Sequence, residues 1–229
     1  MKKSGYMILA VAAVAGGWIA GTLFPISPLK TAASPPIAGS MLPPALSAFA
    51  SVPDVRQSTD YTCGAAALQA VLAYWGKEER EDRLTARLHG DPELGIHPLD
   101  ILRVAREFGL SADLREGLDL ADLEAALASG TTVIVDLQAW RGPTDLPWAE
   151  TWDDGHYMVL LGMDTRNLYF EDPSLLGSRG FISRGEFVER WHDYEGDPPL
   201  DAEDRVFVHT AIFIRGAQAA PMPEFTPVE

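Results

Sequence analysis

Four residues of this chain could together carry out acyl-transfer chemistry. Cys63 is the only cysteine in 229 residues, so it belongs to no intramolecular disulfide and no cysteine-rich zinc site. It stands in the stretch Gln57-Ser58-Thr59-Asp60-Tyr61-Thr62-Cys63-Gly64-Ala65-Ala66, where apolar residues begin to recur at helical spacing (Ala66, Leu68, Val71, Leu72, Trp75). The unpaired N–H groups and positive dipole end of a first helical turn favour an ionised thiol. Gln57 lies six residues earlier, near enough for its amide N–H and the Cys63 backbone N–H to form a two-donor oxyanion site.

Taken alone, a cysteine is more often a small buried hydrophobe than a nucleophile. A nucleophilic thiol needs a base and a group to orient that base. His156 opens the apolar run Gly155-His156-Tyr157-Met158-Val159-Leu160-Leu161, and Asp172 closes Leu168-Tyr169-Phe170-Glu171-Asp172-Pro173. If these runs are antiparallel strands joined by a tight turn at residues 164–167, the start of the first lies beside the end of the second. His156 and Asp172 are then neighbours, and the carboxylate can set the imidazole tautomer. Singly, they read as a strand-edge histidine and a turn aspartate; their joint register favours a Cys-His-Asp triad.

The elements that must position these residues fall into two halves. Helices are expected at residues 63–75, 79–88, 98–108 and 120–128, ending at Gly76, Gly109 and Gly130 where stop signals are placed. Strands are expected at 132–137, 157–162, 167–171 and 206–214, runs rich in β-branched and aromatic residues. A short helix at 184–191 interrupts them, followed by an acidic, Pro-rich loop at 193–204. The class is α+β, N-terminal helices packed on an antiparallel sheet.

The Gln57 to Ala66 stretch, the Gly-His-apolar strand from Gly155 and the Phe170-Glu171-Asp172-Pro173 turn together resemble the bacteriocin-processing (double-glycine leader) cysteine peptidases. The resemblance covers about residues 52–175. It implies a papain-like fold, a catalytic triad of Cys63, His156 and Asp172, Gln57 in the oxyanion hole, a peptide or protein substrate, and no cofactor. The best-known members are fused to an ATP-binding-cassette transporter and face the cytoplasm. This sequence carries no Walker motif and hence no visible ATP site, so a stand-alone relative is expected.

Composition narrows the setting. A formal net charge of −15 offers no basic surface to neutralise phosphates, which excludes nucleic acid as an expected partner. Lys2 and Lys3 precede an apolar run at residues 6–24, read as an inner-membrane signal anchor or a signal peptide at 1–24. The positive-inside rule then puts the rest outside the cytoplasm; Thr31-Ala32-Ala33 is a weak cleavage site that would release a secreted form. Residues 25–50, dense in Pro, Ala and Ser, read as a linker. The peptidase domain is expected at 51–216 and a disordered tail at 217–229.

Trp140, Trp148 and Trp152 precede the proposed base, and either wall a substrate cleft or pack over the sheet. His89, His97, His192 and His209 show no metal-ligand spacing and read as structural or surface residues. Asp193, Glu195 and Asp197 alternate as in a calcium loop, but Pro198 stands where such loops need glycine. Two other functions compete with hydrolysis: an amidase or transpeptidase using the same triad, and a non-catalytic periplasmic peptide-binding domain.

Overall fold

The computed structural model describes residues 49–142, 146–175, 177, 179–196 and 199–220. The expected anchor and nearly all of the linker lie outside these residues. Among the described residues no helix is long and apolar enough to cross a membrane.

Helix α1 (Cys63–Tyr74) is built mostly from small and aliphatic residues, and Cys63 through Leu68 are all buried. A helix apolar on every side must be enclosed, and α1 packs against α2 (Glu81–Arg87), α3 (Pro98–Glu107) and the sheet. Pro98 starts α3, where a missing N–H costs nothing, and the His97 ring accepts from the Leu99 N–H at 3.0 Å. Then come β1 (Ser111–Arg115), α4 (Leu120–Ala128, with an Asp119/Asp122 capping box), β2 (Thr132–Gln138), β3 (Gly155–Met163), β4 (Asn167–Glu171), β5 (Gly180–Ser183), α5 (Arg184–Arg190), β6 (His192–Glu195), β7 (Arg205–Val208) and β8 (Ala211–Arg215).

One six-stranded sheet runs β1-β8-β2-β3-β4-β5, with every neighbouring pair antiparallel, and β6 and β7 form a separate two-stranded sheet. Residues 132–138 are buried throughout, as are 156–163. Lack of in-out alternation means both faces are covered. Val159, Leu161 and Ile134 meet Leu68, Leu72 and Ile101 on one face. Val133, Leu160 and Phe170 meet Leu123, Phe187 and Trp191 on the other. Thus α1 and α3 cover one face of the sheet, and α4 and α5 the other.

Three differences from the expected elements have physical reasons. Strands β1 and β5 sit at the sheet's edges, where short half-polar segments suffice and the sequence signal is weak. The single run expected at 206–214 is split by His209, whose φ of 51° turns the chain from the small sheet to the large one. The expected loop at 193–204 begins with β6, paired to β7. Of the expected tail, residues 221–229 lie outside the described residues, while Ala219 packs on the core and the Ala220 N–H donates to the Tyr74 carbonyl at 2.7 Å.

The entering chain is laced to the sheet. Ala50 N–H donates to the Leu161 carbonyl at 2.8 Å, Val55 N–H to Glu171 Oε1 at 3.0 Å and Gln57 N–H to the Pro173 carbonyl at 3.0 Å. Glu171 is fully buried, and its Oε2 has no hydrogen-bond partner. Burial pushes its carboxyl up to about 8, against the Val55 N–H, which favours the anion. Between the ordinary 4.5 and about 8 the native state holds a proton that the unfolded chain has released, so stability falls as pH rises through this window. Glu171→Gln keeps the acceptor for Val55 and removes the titration. Its thermal midpoint should exceed wild type by roughly 3 °C or more at pH 8, with the gap closing towards pH 5; calorimetry across pH measures this.

Candidate active site

The turn after β3 brings His156 and Asp172 together. Asp164 Oδ1 accepts the N–H groups of Arg166 and Asn167, both at 2.7 Å, and the Asp164 N–H donates to the Asn167 carbonyl at 2.9 Å. From this closed turn β3 and β4 pair as far as Gly162 and Tyr169, and an irregularity between Leu160 and Gly162 then shifts the register so that Val159 lies opposite Glu171. Asp172, just beyond β4, then meets His156 near the start of β3. His156 Nε2 lies 2.8 Å from Asp172 Oδ1. The same oxygen accepts the Ser174 N–H at 2.9 Å and the Ser174 hydroxyl at 2.7 Å. Burial would raise the Asp172 carboxyl, but His156 and Ser174 hold it below the usual range.

Cys63 reaches the same place through the packing of α1. A Cβ on Gly64 would lie 3.1 Å from Tyr157 Cδ2 and 3.2 Å from both Ile101 Cδ1 and Ile96 Cβ. This close approach presses the first turn of α1 onto β3 beside His156. Thr62 at the N-cap makes no side-chain cap; its hydroxyl turns back to the Thr59 carbonyl at 3.2 Å. Cys63 is 8% exposed and close enough to His156, which is 1% exposed, to act on the ionisation of its ring. Burial alone would lower the imidazole, yet contact with Asp172 and Cys63 outweighs it and holds His156 at about 9. The Trp140 ring lies 4.7 Å from the His156 ring, shielding it from solvent on that side.

Gln57 is placed differently from the other three. Its Nε2 donates to the Thr59 carbonyl at 2.8 Å, which leaves a second amide hydrogen, and its Oε1 is buried without a partner.

A cavity of about 640 Å3 opens alongside, lined by Asp60 and Tyr61 ahead of Cys63 and by Gly155 and Tyr157 on either side of His156. Trp140 and Trp152 wall it. Trp152 also packs on His192, ring centroids 4.2 Å apart. Trp148 does not line the cavity; the guanidinium groups of Arg141 and Arg190 stack on it at 4.4 and 4.1 Å.

Several contributors were invisible in the sequence. Gln138, fully buried at the end of β2, accepts the Asp154 N–H at 2.9 Å and donates to Asp193 Oδ1 at 3.1 Å. It thereby fixes the segment entering His156. Arg190 clamps the same strand end by donating to the Gln138 carbonyl at 2.7 Å and to the Ala139 carbonyl. Only Ser174, two residues past Asp172, carried a local hint, since serine there can bond back to the aspartate. Of the remaining histidines, His97 meets Glu195 at 3.0 Å, His192 meets the Thr151 carbonyl at 2.8 Å, and His209 stacks on Trp191. Among the described residues no group of three or more His, Cys, Asp or Glu could hold a metal ion.

The sequence profile of the Peptidase_C39 like family matches residues 49–197. The chain belongs to that family. The chain is 30% identical over 122 residues to an uncharacterized protein of Methanothermobacter marburgensis, covering 53% of this chain and 71% of that one. It is 27% identical over 146 residues to a probable functional amyloid protease, FapD, of Pseudomonas fluorescens, covering 60% of this chain and 56% of the Pseudomonas protein. The match therefore spans little more than half of that relative. Among solved structures, a putative C39-like peptidase from Bacillus anthracis aligns with TM-score 0.56 at 16% identity, over 76% of this chain and 98% of the other. A double-glycine-motif protease from a PCAT transporter, solved with its leader peptide, aligns with TM-score 0.51 at 22% identity, over 74% of this chain and 95% of the other. At these identities the likeness establishes the fold, which is the α+β, papain-like arrangement of C39 peptidase domains.

The His156 environment is directly measurable. Its ring resonances should titrate near pH 9. In an Asp172→Asn protein, which loses the neighbouring charge, the midpoint should fall by about one unit or more; an unchanged midpoint would mean that the 2.8 Å contact does not govern the imidazole.

Proposed function

We propose that the chain is a thiol peptidase that hydrolyses peptide bonds through Cys63, His156 and Asp172. The carrying observation is the buried His156–Asp172 pair, 2.8 Å apart, set beside the only cysteine at a helix N-terminus. A cationic imidazole beside the sulfur favours the thiolate, as does the helix dipole. The thiolate attacks the scissile carbonyl carbon, and the carbonyl oxygen takes the negative charge. The Cys63 backbone N–H and the free hydrogen of Gln57 Nε2 are the donors assigned to that oxyanion. As the intermediate collapses, His156 passes its proton to the departing amine, leaving a thioester. Neutral His156 then accepts a proton from water as the water attacks the thioester, and collapse expels the thiolate with release of the acid product, restoring the thiolate beside the protonated imidazole. Asp172, itself held by Ser174, keeps Nε2 engaged so that the other ring nitrogen faces the sulfur.

A peptide or protein substrate fits the leader-peptide complex of the PCAT protease and the protease naming of the Pseudomonas relatives. The lysine-led apolar run at the N-terminus supports a membrane-anchored, extracytoplasmic setting.

Wild type should cleave members of a peptide library and be labelled at Cys63 by a thiol-directed electrophile. Cys63→Ala should lose at least about a thousand-fold in kcat/KM; undiminished cleavage by that variant would refute the mechanism. In wild type, kcat/KM should fall above pH 9, because the imidazole at about 9 then loses the proton it must donate. Asp172→Asn, which removes a cause of that elevation, should move this alkaline limb to lower pH. A reporter fused at the C-terminus, assayed for exposure to external protease, tests the topology.

A further inference from the structure

The cavity beside Cys63 and His156 is lined by nine carboxylates and by no lysine or arginine. Several of those acids are already engaged. Asp91 caps its own turn through the N–H groups of Glu93 and Leu94, Asp100 pairs with Arg103, and Glu195 pairs with His97. Asp136 and Asp193 are different. They come from separate strands, β2 and β6, and face each other, and neither forms an ion pair with a cation among the described residues. Asp136 is the one buried carboxylate of the lining, 6% exposed, and its Oδ1 has no hydrogen-bond partner.

Apposing a buried carboxyl to a half-buried one is costly, and this fold makes room for the pair. A Cβ on Gly155 would fall 2.1 Å from Asp193 Oδ2, so only glycine lets that carboxyl lie against the entry to His156. Gln138 Nε2 holds Asp193 Oδ1 at 3.1 Å, and the Tyr157 hydroxyl is directed at Asp136. Burial pushes both carboxyls up, and the charge of Asp193 raises Asp136 further, so at neutral pH the pair keeps a proton and waits for a counter-charge. Around it stand Trp140, Trp152, Tyr61 and Phe207, flat faces on which a guanidinium stacks.

We propose that this cavity is a substrate subsite for a cationic side chain, arginine above lysine, whose charge is received by Asp136 and Asp193 next to the scissile bond. The subsite rests on the thiol peptidase reading for its role, but its ligand chemistry can be measured without cleavage. The full-length Cys63→Ala protein is titrated with two pools of short synthetic peptides, identical except that one carries arginine where the other carries neutral, isosteric citrulline. The arginine pool should bind at least about ten-fold more tightly. Asp193→Asn and Asp136→Asn, each made separately in the Cys63→Ala background and checked for native near-ultraviolet dichroism, should bring the ratio close to one. Asp193 is only half buried, which makes its variant the safer of the two.

Equal affinity for the two pools, absence of binding by either, or an arginine preference that survives both substitutions would overturn the subsite. Those outcomes leave the peptidase reading intact if wild type still cleaves. Conversely, arginine preference in the Cys63→Ala protein with no cleavage by wild type would sink the peptidase reading and keep the cation site.

Discussion

Everything at the candidate site depends on the pairing of β3 with β4. A closed turn fixes the register next to it, and here that register, shifted once between Leu160 and Gly162, sets His156 beside Asp172. A one-residue slip would turn the imidazole towards the opposite layer of helices and break the contact. The turn is therefore heavily specified: Asp164 binds two following N–H groups, and its other oxygen accepts the Tyr169 hydroxyl at 2.7 Å. A carboxylate remote from the site thus closes the turn, and the irregularity between Leu160 and Gly162 completes the register at the site.

The second constraint is the contact of α1 with β3. It needs small residues on one side and a large one on the other, which Gly64 and Tyr157 supply. Because Tyr157 follows His156 directly in the strand, the packing that places the sulfur also places the base. Burial has the same double character. It makes the Glu171, Asp136 and Asp193 carboxyls costly to ionise and strengthens the bond between Asp172 and His156, since both effects arise from excluding water.

The parts that could be read in the sequence were those with strong local signals. The range of α4 was predictable from its apolar spacing and its stop at Gly130, and β4 from five residues of strand character bounded by turn formers. Cys63, His156 and Asp172 could be read together because a single hairpin relates two of them and a helix start marks the third. Long-range relations could not be read. No local pattern tells that α4 crosses to the far face, that residues 192–195 pair as a strand, or that Asp193 turns inward from a segment whose composition reads as a solvated loop. Gln138 and Asp136 sit in a continuous apolar run, where a polar residue announces neither what it bonds nor which way it points. His209 breaks a strand through a backbone angle that histidine seldom adopts, so the residue type carried no warning.

The lacing of residues 50–57 onto β3, Glu171 and Pro173 also has a mechanical meaning. Tension on the chain ahead of Phe49 enters the domain along these bonds, in shear, and is carried into the central sheet. The load passes Ala50, Val55 and the Gln57 backbone in turn, so the residues up to Gln57 must peel away before the first turn of α1 feels any pull. A domain held at its N-terminal end and tugged by a substrate or by flow would keep sulfur and imidazole in place, and would first yield at the segment that carries the Gln57 side chain.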